Sequence, residues 1–208
     1  MKIMLWFTTL VACTCSALAQ ADRPAVARLD ENLQEKVDLL NPQYLVFSPK
    51  EKADGKIPLV IYLHGAGGVG DSIRKITGQA AAIWQGIAKF DKGPCLLVAP
   101  QCLKRGREGG GWQPDDLDIL LSHLKATLPV DEKRIYLTGN SMGGMGSWAW
   151  GGHSPKHFAA VAPISGGIGP GGPKDVSPNL EKWIANLAQV PVYAFVLAKD
   201  RVVPAERS

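Results

Sequence analysis

A short glycine-rich motif contains the best candidate for a nucleophile. Residues 139–143 read Gly-Asn-Ser-Met-Gly, which is the pattern G-x-S-x-G, placed after a predicted strand and before helix-forming residues. In that context the serine lies on a sharp turn that exposes its hydroxyl, and the next helix points its N-terminus at a developing negative charge. The alternative is a glycine-rich strand–helix turn without chemistry. The motif predicts that Ser141 is the nucleophile of an acyl-transfer reaction.

A second glycine-rich turn, HGAGG at residues 64–68, follows another apolar strand. A tetrahedral intermediate needs two N–H donors for its negative oxygen, and one of them comes from the residue after the nucleophile, here Met142. We expect the other donor in the second turn, with Ala66 as the first choice and Gly67 as the second. A nucleotide-binding turn is the alternative, but the sequence has no G-x-G-x-x-G or Walker pattern. His64 is expected to make structural hydrogen bonds rather than to act as a base.

The candidate for the acid of a catalytic triad is Asp200, which comes just after the last predicted strand. In proteins with this serine motif the acid and then a histidine follow the serine along the chain. The acid orients the histidine and stabilises its protonated form. A turn carboxylate paired with Lys199 or Arg201 is the structural alternative, and Asp175 is a weaker candidate for the acid.

The base of the triad is missing from the expected place. The sequence has four histidines, and all precede Asp200: His64, His123, His153 and His157. The last two follow the nucleophile helix and are predicted to be surface or loop residues. We therefore expect the chain to be a fragment of a longer product that supplies the histidine after residue 208. A truncated and inactive protein is the alternative.

Three further residues need an interpretation. Trp112, in a glycine-rich loop near the expected cleft, is a candidate for substrate binding by stacking on a sugar or aromatic ring, with buried packing as the alternative. Cys95 and Cys102 flank a predicted strand that spans roughly 20 Å. A disulfide tolerates a Cα separation of at most about 7 Å, so we expect two buried free thiols. No Cys/His spacing typical of a metal site is present, and we expect no metal or cofactor.

Strands and helices alternate along most of the chain. Apolar runs predict strands at 44–47, 58–63, 95–100, 134–138, 159–164 and 190–197. Apolar residues at steps of three and four predict helices at 72–90, 114–128, 142–150 and 177–187. This alternation predicts an α/β fold whose mostly parallel sheet is covered by helices on both faces. Ligands in such sheets bind at the carboxyl ends of the strands, which is where the candidate residues lie.

The N-terminal sequence and the charge distribution indicate where the protein is located and which partners are excluded. Lys2, the apolar residues 3–18 and an Ala-Leu-Ala site at 17–19 predict a secretory signal peptide, hence a secreted or periplasmic protein, with a lipoprotein anchored through Cys13 as the alternative. We assign 20–43 to a polar, helix-leaning leader segment and 44–208 to one catalytic domain that is incomplete at its C-terminus. The net charge of +4 comes from scattered basic residues, which predicts no nucleic-acid partner. No transmembrane segment is predicted in the mature chain.

Five stretches together resemble one bacterial family: IPLVIYLHGAGG, LLVAPQC, DEKRIYLTGNSMGGMGSW, HFAAVAPISGG and VPVYAFVLAKDRVVP. They resemble the exported phospholipase/carboxylesterase-like α/β hydrolases, also called predicted peptidases, which are related to dienelactone hydrolase and to feruloyl and polyhydroxybutyrate esterases. The resemblance implies an α/β-hydrolase fold, in which this chain lacks the last strand and helix. The chain departs from the family pattern at 196–197, where relatives carry His-Gly, and in the absent C-terminal histidine.

The resemblance also implies a function. Carried over by position, it makes Ser141 the nucleophile, Asp200 the acid, and the amides of Ala66 and Met142 the oxyanion donors. The expected reaction is hydrolysis of a small-molecule or polysaccharide-linked carboxylic ester through an acyl-enzyme. Two alternatives remain: a serine peptidase on the same fold, and a non-catalytic, hydrolase-like binding protein.

Overall fold

The structure is a computed structural model that describes residues 23–50, 53–89, 93–105, 111–168, 180–200 and 203. Three predictions lie outside the described residues: the signal peptide at 1–19, the lipid anchor at Cys13 and the alternative acid Asp175. Within the described part of the chain, no helix has the length and apolar character needed to cross a membrane.

A six-stranded sheet forms the centre of the molecule, in the order β1-β2-β4-β3-β5-β6. Its strands are β1 (Ala25–Arg28), β2 (Leu40–Phe47), β3 (Ile57–Leu63), β4 (Leu96–Cys102), β5 (Val130–Asn140) and β6 (Ala160–Ile164). The last four pair in parallel, and β1 and β2 add antiparallel strands at one edge. This sheet confirms the predicted α/β-hydrolase fold class.

Helices cover both faces of the sheet because alternate residues of its strands are apolar on both sides. The helices are α1 (Glu31–Gln34), α2 (Arg74–Ala88), α3 (Pro114–Thr127), α4 (Met142–His153) and α5 (Leu180–Leu187). On β3, Leu59, Ile61 and Leu63 belong to the cluster that contains the leucines of α3, whereas Tyr62 belongs to the cluster with Trp84 of α2. The carboxyl ends of the parallel strands are thereby fixed between two packed layers.

Two segments differ from the sequence prediction. Residues 25–28, expected within a polar and helix-leaning segment, form strand β1, and β2 begins at Leu40 rather than at residue 44. The reason is tertiary, since β1 has only four residues and gains its hydrogen bonds from β2. At the other end, residues 190–197 do not form a continuous strand, and only Val192 and Phe195 bridge to β6. Pro191 has no N–H to donate, and the side chains of this segment are largely exposed.

Candidate active site

Ser141 is the single residue between the end of β5 and the start of α4, and it lies on a strained turn. Its φ of 53° and ψ of −115° are uncommon for a residue with a side chain. Two hydrogen bonds hold it there: its N–H donates to the carbonyl oxygen of Ile164 at 2.8 Å, and its own carbonyl accepts from the N–H of Met145 at 3.0 Å. Such strain persists only where neighbouring structure maintains it, and it is concentrated at functional sites.

Glycines let α4 lie directly on the end of β3. A Cβ on Gly143 would come within 2.9 Å of the carbonyl oxygen of His64 and closer still to that of Leu63. A Cβ on Gly139 would lie 2.7 Å from the same Leu63 oxygen. Any side chain at these positions would push the backbones apart. The close approach brings the serine turn to the same end of the sheet as the turn at residues 64–72. This longer turn begins with the HGAGG sequence at 64–68, and we call all of it the HGAGG turn.

The amides predicted to bind an oxyanion are available. The HGAGG turn contains a 3₁₀ helix, Ala66–Gly68, and α4 begins at Met142. The first N–H groups of any helix have no acceptor within it. In the described part of the chain, the N–H groups of Ala66, Gly67 and Met142 meet no hydrogen-bond acceptor. The structure thus offers donors at all three positions that the sequence analysis named.

His64 is a structural residue, as predicted. Its ring is fully buried, Nε2 lies 3.0 Å from the N–H of Cys102, and Nδ1 lies 2.7 Å from the carbonyl oxygen of Gly65. Because the Cys102 amide can only donate, Nε2 accepts and Nδ1 carries the proton that is donated to Gly65. Burial lowers the pKa of His64 to about 4, so the ring is neutral at physiological pH. Neither nitrogen is left for a proton from the serine.

Asp200 follows the segment that runs beside β6. Phe195 exchanges backbone hydrogen bonds with Ser165 and Pro163, and Ile164 is also the residue that accepts the Ser141 N–H. The carboxyl ends of neighbouring parallel strands meet at one edge, so Asp200 comes at the same edge as the serine turn. Its N–H donates to Leu197 at 3.0 Å and its Oδ1 accepts from the N–H of Val203 at 2.9 Å. Its role as the acid stays a prediction.

The other three histidines lie away from Ser141. His123 is on α3, with Nε2 3.1 Å from the Tyr44 hydroxyl and Nδ1 3.4 Å from Asp30. His153 ends α4 and His157 follows it, about 18 Å from the serine end by the rise of an α-helix. None of the four histidines of the sequence is therefore placed as a base for the serine.

A cluster of possible metal ligands forms at that far end of α4. Ligand atoms of Asp115, Asp118 and His153 lie within 4.8 Å of one another. The two oxygens of Asp118 already accept hydrogen bonds, from Trp150 Nε1 at 2.6 Å and from the Ser154 hydroxyl at 2.8 Å. These contacts describe an ion-pair cluster that joins α3 to α4. No local sequence pattern indicates this cluster, because the acids and the histidine are far apart along the chain.

Trp112 lies in the core rather than at an open cleft. Its side chain is 1% exposed, its ring centroid is 4.8 Å from that of His64, and its Nε1 donates to the His64 carbonyl at 3.4 Å. A Cβ on Gly146 would meet the indole at 2.6 Å, so α4 also packs against it. Trp112 therefore packs in the core, which was the alternative to substrate binding, because its buried ring has no face open for stacking on a substrate.

The two thiols are buried and free, as predicted. Burial raises the pKa of Cys102 to about 11 and also raises the pKa of Cys95. The Cys102 thiol donates to the carbonyl oxygen of Lys104 at 3.0 Å.

Residues that the sequence analysis missed surround the serine turn. The Tyr62 hydroxyl donates to Oδ1 of Asn140 at 2.6 Å, and burial raises the pKa of Tyr62 to about 12, so the phenol keeps its proton. Oε1 of Gln79, on α2, accepts the N–H of Gly65 at 3.2 Å. These bonds connect residues up to 78 positions apart, which no local pattern can indicate.

The sheet and its covering helices define an α/β-hydrolase fold, with a strained serine turn and available amides at the ends of its parallel strands. Comparison with known families is more specific. A family model described as "Putative esterase" matches residues 37–194, and the chain belongs to this esterase family.

The relatives and solved structures agree with that family. The chain is 28% identical over 171 residues to a probable feruloyl esterase C of Aspergillus terreus, covering 79% of this chain and 60% of that protein. It is 28% identical over 139 residues to the feruloyl esterase C of Emericella nidulans, covering 65% and 51%. The chain thus spans between 51% and 60% of the length of these two relatives.

Two crystal structures show the same fold. One is of a thermostable esterase, with a TM-score of 0.69 and 28% identity, covering 89% of this chain and 49% of that one. The other is of a "Putative Dienelactone Hydrolase" from Klebsiella pneumoniae, with a TM-score of 0.61 and 19% identity, covering 88% and 77%. At that identity the second likeness concerns the fold alone.

Proposed function

We propose that the protein is a carboxylic ester hydrolase that works through an acyl-enzyme on Ser141. The observation that carries the proposal is the strained turn at Ser141 beside amides that meet no acceptor among the described residues. A serine hydroxyl on such a turn is exposed for attack, and nearby amides stabilise the charge that forms on the carbonyl oxygen. Membership of the esterase family supports ester hydrolysis as the reaction.

In the proposed mechanism, Oγ of Ser141 attacks the ester carbonyl and its proton passes to a histidine. The oxyanion accepts hydrogen bonds from the N–H of Met142 and from that of Ala66 or Gly67. The histidine then protonates the leaving alcohol, and water attacks the acyl-enzyme in the reverse sense. Asp200 orients the histidine. None of the four histidines present fits this role, so we propose that the base is encoded after residue 208.

The test of the nucleophile is covalent labelling. A serine-directed fluorophosphonate should label the protein expressed from its complete gene at Ser141, as located by peptide mass spectrometry. Ser141→Ala should abolish labelling and lower ester turnover by about 10⁶-fold. Ser122→Ala is the matched control, because this exposed hydroxyl lies on α3 and donates to the backbone carbonyl oxygen of Asp118. Labelling that persists in Ser141→Ala would sink the proposal.

For the substrate we propose feruloyl-type esters, in which the acyl group is aromatic and the alcohol is either small or part of a polysaccharide. The support is the likeness to relatives that are named feruloyl esterase C. Initial rates on methyl ferulate, on methyl esters of aliphatic acids and on peptide amides separate a feruloyl-type esterase from a general esterase and from a peptidase. Faster cleavage of amides than of esters would contradict an esterase.

We also propose that the protein acts outside the cytoplasm. The support is the signal-like sequence, with Lys2, the apolar residues 3–18 and the Ala-Leu-Ala site at 17–19. N-terminal sequencing of protein recovered from the expressing cells should begin at Gln20. A retained and unmodified N-terminus would contradict export, and a lipid-modified Cys13 would establish the lipoprotein alternative.

A further inference from the structure

One buried side chain connects the HGAGG turn to the sheet. Gln101, near the end of β4, is fully buried in a strand whose seven residues are all buried. Its Nε2 donates to the carbonyl oxygens of Gly68 and Ser72, at 2.8 and 2.9 Å, and its Oε1 accepts from Asn41 Nδ2 at 2.8 Å. A buried amide costs free energy unless it is hydrogen-bonded. Gln101 has a partner on both polar atoms, and two of its three bonds go to the turn.

The partners fix the direction of each amide. Asn41 Nδ2 also donates to the carbonyl oxygen of Asp71 at 3.1 Å, and Asn41 Oδ1 accepts the N–H of Gln43 at 2.9 Å. A carbonyl can only accept and a backbone N–H can only donate, so Asn41 presents its NH₂ group to Gln101. Gln101 must then offer its oxygen to Asn41 and its NH₂ group to the turn.

The next residue of β4 holds two further points of the turn. The N–H of Cys102 donates to His64 Nε2 at 3.0 Å, and the carbonyl of Cys102 accepts the N–H of Gly70 at 3.0 Å. Gln101 and Cys102 together therefore contact the beginning, the middle and the end of the turn. Ala66 and Gly67 lie inside this span.

We propose that Gln101 is a positioning residue that sets the direction of the amide donors at Ala66 and Gly67, an inference that rests on the esterase function proposed above. Gly68 ends the 3₁₀ helix and directly follows both donors. Neighbouring peptide planes of a 3₁₀ helix are connected through the φ and ψ angles of the residue between them. Holding the Gly68 carbonyl in place therefore restrains the orientation of the peptide planes before it. An oxyanion donor acts through its aim at the developing charge, and a misplacement of about 1 Å can lower a rate by about 10²-fold.

The variant that tests this role is Gln101→Met, which keeps the length and the burial of the side chain and removes its three hydrogen bonds. The matched control is Val98→Ala, on the same strand, fully buried and without a hydrogen bond from its side chain. Both variants loosen the core near β4, but only the first releases the turn. If Gln101→Met does not fold, Asn41→Ala is the second variant. It removes the support of Oε1 and the bond to the Asp71 carbonyl but leaves both bonds of Gln101 to the turn in place, so a weaker effect of the same kind is expected.

Two measurements on the protein from its complete gene decide the question. Hydrogen exchange should become about tenfold faster at the amides of Gly68 and Gly70 in Gln101→Met and stay unchanged there in Val98→Ala. Ester turnover should show kcat lowered about 10- to 100-fold with KM changed less than about threefold, since an oxyanion donor acts in the transition state. For Asn41→Ala we expect kcat to fall about threefold.

The outcomes separate this inference from the esterase proposal. If wild-type protein is labelled at Ser141 and Gln101→Met keeps the kcat of Val98→Ala, the positioning role is overturned and the esterase proposal stands. Faster exchange of the turn with an unchanged kcat also overturns it, because the turn is then held for stability alone. A wild-type protein that is neither labelled nor active overturns the esterase proposal and this inference with it.

Discussion

The two sides of the candidate site are held by different means. The HGAGG turn is tied to β4 by buried side chains, Gln101 and His64, that are both fully shielded from water. Residues 191–195, in the segment that leads to Asp200, are aligned beside β6 by backbone hydrogen bonds, while Tyr193 and Leu197 are 70% and 64% exposed. The half of the site that would stabilise an oxyanion is therefore built into the core. The half that would carry the acid has its register set by backbone hydrogen bonds, and the side chains of residues 191–199 are exposed in this 208-residue chain.

The largest expected effect is at the close approach of α4 to β3. Gly143→Ala places a methyl group against the carbonyls of Leu63 and His64, and backbone atoms cannot move aside as a flexible side chain can. We expect the free energy of unfolding in urea to fall by about 3 kcal/mol or more, with loss of labelling at Ser141.

Gly78→Ala is the control for that change. Gly78 lies within α2, and a Cβ there would meet nothing within 4 Å. Alanine should raise the free energy of unfolding by roughly 0.5 to 1 kcal/mol, because glycine is the poorer residue in a helix interior. Equal effects of the two substitutions would contradict the role of the close approach.

A pH dependence should arise on the packed side of the site. The pKa of His64 is lowered by burial to about 4, whereas an unfolded histidine titrates near 6.5. Its contribution to stability is complete above about pH 6.5 and is lost as the pH falls toward 4, because the unfolded chain then binds a proton that the folded chain does not. The total is roughly 3 kcal/mol for this residue.

Urea unfolding at pH 7.5 and pH 4.5 measures this difference. In His64→Gln, which cannot titrate, the drop in stability between the two pH values should be smaller than in wild type. His153→Gln is the control, since this half-exposed histidine lies at the far end of α4. A drop in His64→Gln as large as that in wild type would contradict the assignment.

Asp115 and Asp116 are neighbours on α3 but differ in burial, and Asp116 contacts the residues just before β2. Asp116 is buried and accepts the backbone N–H groups of Asp38 and Leu39, the latter at 2.8 Å, whereas the side chain of Asp115 is 90% exposed. Asp116→Ala leaves the buried N–H of Leu39 without its acceptor and should cost about 2 kcal/mol in the free energy of unfolding. Asp115→Ala should change it by less than about 0.5 kcal/mol. Similar free energies of unfolding for the two variants would mean that the buried carboxylate does not stabilise the residues just before β2.

The smallest effect on stability belongs to the open segment. Tyr193→Ser and Phe195→Ser change side chains that are 70% and 50% exposed, so the free energy of unfolding should move by less than about 0.5 kcal/mol. Their visible effect should be on self-association of the 208-residue chain, because exposed apolar side chains at a strand edge favour edge-to-edge contact. Sedimentation velocity should show less oligomer in these variants than in Tyr136→Ser, a partly exposed position on β5. An equal fraction of oligomer in all three variants would argue against residues 190–197 as the surface of self-association.

Sequence patterns predicted the elements whose own residues determine them. The leucines of α3 recur at helical spacing, and β3 and β4 are apolar almost throughout, so their class and place followed from periodicity. The serine turn followed from a motif whose glycines the structure explains by close approach. Strand β1 did not follow, because four residues have too little pattern of their own and depend on β2.

Contacts between distant residues could not be predicted in the same way. Asn41 and Gln101 are 60 positions apart, and neither stands in a motif. A polar residue in an apolar run such as LLVAPQC is the one signal that was present, since burial of an amide demands partners. Asp200 was placed by position after a segment that proved less regular than a strand, and its role still awaits a measurement.

The shielded thiols bear on where such a molecule can work. With a pKa of about 11, the Cys102 sulfur is a thiolate in only about one molecule in 10⁴ at neutral pH, and the thiolate is the form that reacts with oxidants and disulfides. The Cys102 thiol of the folded chain should therefore react only slowly with oxidants and disulfides. Glutathione and peroxide should leave this sulfur unmodified while the chain is folded.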